Sequence, residues 1–320
     1  MRIYGPVPSR RFGLSLGVDV LPHKTCSMDC IYCQLGPSDH LFIEQQTFFP
    51  VEDILADAAE ALDRGPRPDV ITLAGSGEPT LYRPLGALID GLHGLADIPI
   101  LVITNSTMLH VPQTAEAVMR AEILAPSLDA GDEATFRRVN RTHPGVSYEE
   151  MFEALVRVTH AHPGQVHLEV MLVKDVNDSE ESLKAVADRV RRLRVDRIDI
   201  NTPVRPPVPK RGALPCDEET LSRAMALLGP KAAPIADFRS VASLRRRPGR
   251  TFTDRDKDIR EMLMRRPSTA KDISVSLQID EKIVRDSLGR MISSGLAEER
   301  EVMGTIYYHA VGENPTLGRR

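Results

Sequence analysis

Over the first two thirds of the chain, short runs of β-branched and aliphatic residues alternate with longer stretches whose apolar positions recur every three or four residues. The short runs fall at residues 17–20, 70–73, 100–104, 122–125, 166–173 and 197–200, bounded by Gly, Pro, Asp or Asn, and predict six strands. The longer stretches predict helices at 51–64, 85–95, 114–121, 148–160 and 179–193. In the last of these, Leu183, Val186, Ala187, Val190 and Leu193 share one stripe. Strand, helix, strand at this spacing builds right-handed βαβ units on a parallel sheet. The expected fold class is therefore α/β, a partial (βα)6 TIM-like barrel.

After Asn201 the pattern weakens into Pro203, Pro206, Pro207 and Pro209, followed by a helical stretch at 217–228 and the run Arg245-Arg246-Arg247-Pro248-Gly249. This reads as barrel closure and then a linker. The tail has a different grammar: helices at 254–265, 268–277 and 281–294, a stop at Gly295, and alternation from Val302 to His309 around Gly304. Three short helices and a hairpin resemble a winged helix-turn-helix. The domain expectation is a barrel over 1–245, a linker over 246–252 and a small C-terminal winged-helix domain over 253–320, with no internal repeat.

Composition narrows the classes without choosing among enzymes. A chain of 320 residues, 42% hydrophobic and 27% charged, is an ordinary globular protein, which excludes collagen, coiled coil and wholesale disorder. The longest apolar run, at 98–103, is far short of the ~18 residues of a membrane span. The start, Met1 to Pro6, lacks the apolar core of a secretory signal, so a cytoplasmic address and no membrane partner are expected. The net charge of −4 hides an asymmetry: Lys and Arg outnumber Asp and Glu by 16 to 12 from Arg245 onward, against 25 to 33 before it. The tail is mildly basic.

The chemistry concentrates in the cysteines. Three of the four, Cys26, Cys30 and Cys33, lie within eight residues as CxxxCxxC just after the first predicted strand; the fourth is Cys216. Such crowding in a reducing compartment points to metal or cluster ligation before a disulfide framework. Three thiolates on one loop can hold three irons of a [4Fe-4S] cluster and leave the fourth open. Structural zinc is the alternative, with His23 or Cys216 recruited as a fourth ligand.

CxxxCxxC with an aromatic, here Tyr32, before the last cysteine resembles the radical S-adenosylmethionine (SAM) superfamily. The resemblance implies a cluster whose open iron is chelated by SAM. One electron then cleaves SAM to methionine and a 5′-deoxyadenosyl radical, which abstracts hydrogen from a substrate. The protein's share is to bind, orient and exclude water. The stretch Ala74-Gly75-Ser76-Gly77-Glu78-Pro79-Thr80 is similar to the family's GGEP element, whose backbone receives the methionine amino group; a plain βα turn is the alternative. By the same resemblance Asn105, Ser127 and Asp129 contact the ribose or carboxylate of SAM, although Asn, Ser and Asp also cap helices. All these groups, with Lys174 and Asn201 to Arg205, follow predicted strands, which is the active rim of a parallel barrel.

Residues 5–11, 127–130, 136–141, 169–174 and 201–207 further resemble small iron-sulfur oxidoreductase-like proteins related to the wybutosine-synthesis enzymes of tRNA modification. The archaeal wybutosine enzymes carry a second cluster. Cys216 alone cannot supply one, so that tRNA reaction is not carried over. Auxiliary-cluster and cobalamin subclasses are likewise not indicated.

On the substrate side, Arg10, Arg11, Arg137, Arg141, His143 and Arg205 are candidates to clamp a phosphate or carboxylate; surface ion pairing is the alternative. Lys174 is either a ligand to SAM or substrate, or a salt-bridge partner of Glu169 or Asp175. Cys216, beside Pro215 and Asp217 at a helix start, is either a thiol of lowered pKa or an ordinary one. In the tail, residues 281–294 would be the recognition helix, with Lys282, Arg285 and Arg290, and with Arg300 near the wing. Glu281, Asp286, Glu298, Glu299 and Glu301 interleave with them and weaken a nucleic-acid footprint. Nucleic acid such as tRNA, a protein, or the barrel itself remain possible contacts of the tail. The leading expectation is a radical SAM enzyme that takes electrons from an external flavodoxin or ferredoxin. The alternative is an iron-sulfur, redox-responsive regulator that binds nucleic acid through its tail.

Overall fold

The computed structural model describes residues 2–9, 11–38, 40–203, 212–235, 255–265, 267–277, 279–302 and 304–311. Its main sheet has eight strands in sequence order. β1 (Ile3–Ser9) runs antiparallel to β2 (Gly13–Val18). From β2 onward the neighbours are parallel: β3 (Val70–Leu73), β4 (Ile100–Thr104), β5 (Ile123–Pro126), β6 (Gln165–Met171), β7 (Arg197–Asn201) and β8 (Ala232–Pro234). The crossovers carry α1 (Val51–Arg64), α2 (Leu85–Leu95), α3 (Pro112–Val118), α4 (Glu133–Asn140) with α5 (Tyr148–Ala161), α6 (Glu180–Val190) and α7 (Glu218–Leu228). The α/β class with a parallel sheet agrees with the sequence-based expectation.

Alternation along the strands divides the interior in two. Leu16, Val18, Ile71, Leu73, Ile100, Val102, Leu124, Leu168, Val170 and Ile198 share one large core with helix residues such as Ile54, Leu88, Phe152 and Val186. On the other face Val70, Leu101 and Ala125 form a small cluster with Phe12, Ile103 and Ile123. Polar residues continue that face: Ser15 and Thr72 are hydrogen-bonded at 2.7 Å. Arg11 inserts there from the β1–β2 turn, 2.5 Å from Glu169 and 3.3 Å from the fully buried Asp199. Arg197 also donates to Asp199, at 2.6 Å. One guanidinium thus ties the first hairpin to β6 and β7, and removing one partner of such a pair costs about 3–5 kcal/mol.

Several elements differ from the sequence expectation, for local reasons. The first parallel strand lies at Gly13–Val18, not 17–20, so Asp19 and Val20 leave the sheet for the loop beyond it. β1 was not foreseen because Gly5, Pro6 and Pro8 obscure its signature; prolines are tolerated on an edge strand, and its register shifts between Tyr4 and Val7. β8 has three residues and no β-branched one. Helix α4 is short and mostly polar, and it starts because the Asp132 side chain accepts from the Thr135 N–H. Ser147, Ser179 and Asp217 cap α5, α6 and α7 in the same way.

The tail forms α8 (Arg255–Arg265), α9 (Ala270–Leu277), α10 (Glu281–Ser293) and the hairpin β9 (Ala297–Val302) with β10 (Thr305–Ala310). Ile259, Leu263, Ile273, Val284, Leu288, Met291 and Tyr308 make its own core, separate from that of the barrel. Gly295 ends α10 with φ +71°, a left-handed conformation that favours glycine. Backbone bonds in both directions between Ser268 and Tyr308 pin the α8–α9 connection to β10. Helix α9 lies alongside β1 and covers the edge strand of the main sheet. The expected linker, 246–252, falls outside the described residues.

Candidate active site

Residues 19–33 leave β2 at its carboxyl end and are held by two other segments. On one side Thr25 pairs with Gly77, and its carbonyl accepts the Glu78 N–H at 2.9 Å. On the other, the end of α4 receives the loop: Asp29 N–H donates to the Asn140 carbonyl at 3.1 Å, and Ile31 N–H to that of Val139 at 3.0 Å. His143 N–H returns to the Ser27 carbonyl at 2.9 Å. Arg141, in the left-handed region at φ 47°, turns the chain out of α4 to make this contact. Backbone polar groups must be paired when buried, so these bonds leave the loop little freedom.

Each of the three thiols receives one side-chain N–H from outside the cysteine motif. The Lys24 ammonium lies 3.0 Å from Cys33 Sγ. Asn105 Nδ2 lies 3.5 Å from Cys26 Sγ, and Asn140 Nδ2 lies 3.4 Å from Cys30 Sγ. Burial, aided by the Glu78 charge, pushes the Cys26 thiol up to about 12. Cys30 is raised as well, by burial and by the neighbouring thiols. As thiolates these groups need positive charge beside them, which iron supplies. The donor set is sulfur, the ligand type of iron–sulfur clusters. These features fit a cluster carried on Cys26, Cys30 and Cys33. Among the described residues no three His, Cys, Asp or Glu side chains converge on a single-ion position.

The loop after β3 is built by carboxylates. Asp19, just past β2, accepts the Ser76 N–H at 3.1 Å and also the Ser76 hydroxyl. A Cβ on Gly75, at φ +154°, would lie 2.4 Å from the Asp19 carboxyl carbon; one on Gly77 would lie 1.7 Å from the Thr25 carbonyl oxygen. Only glycine lets these three segments approach so closely. Glu78 is buried, and its carboxylate is spent on the protein. It accepts from the Thr80 N–H at 3.0 Å, the Thr80 hydroxyl, the Thr104 hydroxyl at 2.7 Å and the Asn105 N–H at 2.6 Å. Burial raises its pKa while these donors pull it back.

Asn105 is similarly engaged: its amide donates to Ser27 Oγ at 3.0 Å and accepts from Thr107. Asp129 is buried and acts as a hub. It accepts from the Tyr32 hydroxyl, from Asn140 Nδ2 at 2.7 Å and from the Met171 N–H at 2.9 Å. Burial pushes both Tyr32 and Asp129 up. Ser127 is half-buried on the same rim, bridged to Glu169, and its hydroxyl has no partner among the described residues. Lys174 is exposed beyond β6, where its backbone N–H donates to the Leu214 carbonyl at 3.0 Å.

The substrate-side candidates divide. Arg10 and Arg205 lie outside the described residues. Arg11 is committed to Glu169 and Asp199, so Glu169 is not the partner of Lys174. Arg137 holds the 142–146 segment through the carbonyls of Thr142, His143 and Val146, and also pairs with Glu133. Arg141 is exposed. Cys216 is not activated: burial and the nearby Asp178 carboxylate push its thiol up to about 11. In the tail, Arg285 pairs with Glu281, and Arg290 with Asp256.

The sequence reading missed Lys24, Asp19, Thr104, Asn140 and Asn177. Asn177, fully buried, donates to the carbonyls of Asp129 and Met171, each at 2.8 Å, and so braces the hub from behind. Asn140 lay inside the 136–141 stretch that carried the family resemblance, and Lys24 stands two residues before Cys26. Those positions were the available signal.

The sequence profile of the Radical SAM superfamily matches residues 20–200. Over 307 residues the chain is 35% identical to a protein of Brachyspira hyodysenteriae named GTPase Obg, covering 96% of this chain and 45% of that one. It therefore spans less than half of that relative. It is 28% identical over 310 residues to a UPF0026 protein of Methanocaldococcus jannaschii, covering 95% of this chain and 94% of that one. Among solved structures, a radical SAM methyltransferase from Sphaerobacter thermophilus superposes with a TM-score of 0.50 at 19% identity, covering 69% and 66% of the two chains; the likeness is one of fold. No helix among the described residues is long and apolar enough to cross a membrane.

Proposed function

Because the chain belongs to the radical SAM superfamily, we propose that it reductively cleaves SAM at a single [4Fe-4S] cluster held by Cys26, Cys30 and Cys33, and abstracts hydrogen from a substrate. It is an enzyme, and its cofactors are a [4Fe-4S] cluster and SAM. When bound, they supply the hard chemistry: one electron breaks a sulfur–carbon bond of SAM to give methionine and an adenosyl radical. That electron comes from an external one-electron carrier, for which a flavodoxin or ferredoxin is the proposed class. The observation that carries the reading is that the three thiols of one loop at the carboxyl rim of a parallel sheet each have their own side-chain N–H donor.

In this reading the chain's own residues divide the work. The backbone of Gly75, Ser76 and Gly77, held by Asp19, receives the methionine end of SAM. Ser127 and Lys174, whose polar heads carry no hydrogen bond to the described protein, are the side chains that touch SAM or substrate. Glu78, Asn105 and Asp129 act one step back, keeping the loops and Tyr32 in place. Arg205 remains a proposed substrate contact. The barrel is taken as 1–245 and the tail as a winged-helix module over 253–320 that positions a nucleic-acid or protein substrate. Pairing of Arg285 and Arg290 within the tail lowers the positive charge available to a phosphate backbone, which weighs against the regulator alternative and favours protein over nucleic acid as what the tail positions.

The test is anaerobic reconstitution followed by dithionite and SAM. Release of 5′-deoxyadenosine by the native chain, and none by Cys30→Ala, is the expected result. An intact, reducible cluster whose electron paramagnetic resonance (EPR) spectrum is unchanged by SAM would overturn the reading.

A further inference from the structure

The three sulfur donors are not equivalent: Cys26 and Cys30 face neutral amides, whereas Cys33 faces an ammonium. Lys24 is 8% exposed, so this charge is largely removed from water, and it also pairs with Asp29 Oδ1 at 3.6 Å. Asp29 is itself engaged by the Ser38 N–H at 2.8 Å. The backbone at Lys24 is also unusual, with φ 61°. Glycine or asparagine occupies that left-handed region at lower cost, so the site is better suited to a residue other than lysine unless the lysine side chain is needed.

We propose that Lys24 is a positioning residue for the cluster, its ammonium pairing with the Cys33 sulfur so as to favour the reduced state. The proposal rests on the cluster reading above. A reduced cluster carries one more negative charge than an oxidised one, and a buried cation at 3.0 Å from a ligand sulfur stabilises the more negative state. Hydrogen bonds and charge at the sulfurs are among the levers that set cluster potentials. Asn105 and Asn140 orient the other two sulfurs without adding charge. Lys24, itself paired with Asp29 at 3.6 Å, therefore sets Cys33 apart as the one of the three sulfurs that faces a cation.

The experiment compares the unsubstituted 320-residue chain with Lys24→Met, Lys24→Gln and Lys24→Arg after anaerobic reconstitution, by iron content and EPR-monitored redox titration. Lys24→Gln keeps an N–H and loses the charge; Lys24→Arg keeps both. At a fixed poise the reduced-to-oxidised ratio is expected to fall about tenfold in the Met and Gln variants, a shift of about 59 mV for a one-electron couple, and to stay near native in the Arg variant. Loss of the cluster from both neutral variants but not from Lys24→Arg also supports the pairing. Native midpoints in cluster-loaded Met and Gln variants, or loss of the cluster from all three, overturn the proposal alone. A native chain that takes up no cluster iron overturns the cluster reading and this proposal together.

Discussion

At the carboxyl rim of the barrel, polar side chains find partners far away in sequence: Tyr32 reaches Asp129 across 97 residues, Asn140 reaches Cys30 across 110, and Ser76 reaches Asp19 across 57. On helix α10 of the tail, Arg285 finds Glu281 four residues away, in solvent. Both regions are rich in polar residues and both pair them. The difference lies in what is lost when a partner goes. A buried acceptor without its donor pays its full desolvation cost, about 1–3 kcal/mol. An exposed helix pair is worth a few tenths of a kcal/mol, because water replaces either partner. The rim is therefore a connected device and the tail surface a set of independent charges.

Gly77→Ala is the strongest way to sharpen that contrast. Its Cβ would sit 1.7 Å from the Thr25 carbonyl oxygen, backbone against backbone, so the two loops must part. The expected loss is about 3 kcal/mol in urea unfolding, with weakened SAM binding; a native unfolding midpoint would break the picture of a tightly sewn rim.

Next in size is the behaviour of the buried thiol Cys216. With its pKa at about 11, about a thousandth of it is thiolate at pH 8, against about a quarter for a free cysteine near 8.5. A thiol held up in this way keeps its proton until pH approaches that value, so reactivity climbs with pH. Iodoacetamide labelling followed by peptide mass spectrometry should show Cys216 reacting more than about a hundredfold slower than a free thiol at pH 8, rising about tenfold per unit up to pH 10. Labelling at the free-thiol rate would mean that the region around Asp178 and Thr202 opens readily.

Tyr32→Phe should cost about 1–2 kcal/mol, since Asp129 loses one of its donors in a buried site while Asn140 and the Met171 N–H remain. An unchanged stability would demote Asp129 from hub to bystander. Arg285→Ala, at the small end, should shift the unfolding of the tail by less than about 0.5 kcal/mol. A larger loss there would erase the distinction between the two regions.

The sequence was most legible where structure is periodic or chemistry is spelled locally. Helices α1 and α2 fall on their expected residues because their apolar stripes are long and regular. The cysteines and the Gly75 to Glu78 run stand beyond consecutive parallel strands, at the rim where barrel logic puts them. Short or irregular elements were not legible: β1 with its prolines, β8 with three residues, α4 with two buried apolar positions, Phe136 and Val139. Charges were the hardest. Arg11 and Arg137 look alike in sequence, yet one is locked between Glu169 and Asp199 and the other holds up a backbone loop.

What the sequence by itself determined is the α/β alternation, the three-cysteine loop and its family, because each depends on residues within a few positions of one another. Only the tertiary structure decided which polar atoms are spent and on what. Glu78, Asn105 and Asp129 are turned inward, Lys24 is set against Cys33, and Ser127 is left with a hydroxyl unpartnered among the described residues. Those outcomes depend on burial and on contacts between segments up to 110 residues apart. A hydrogen bond has decisive weight only once water is excluded, and exclusion is a property of the packed fold.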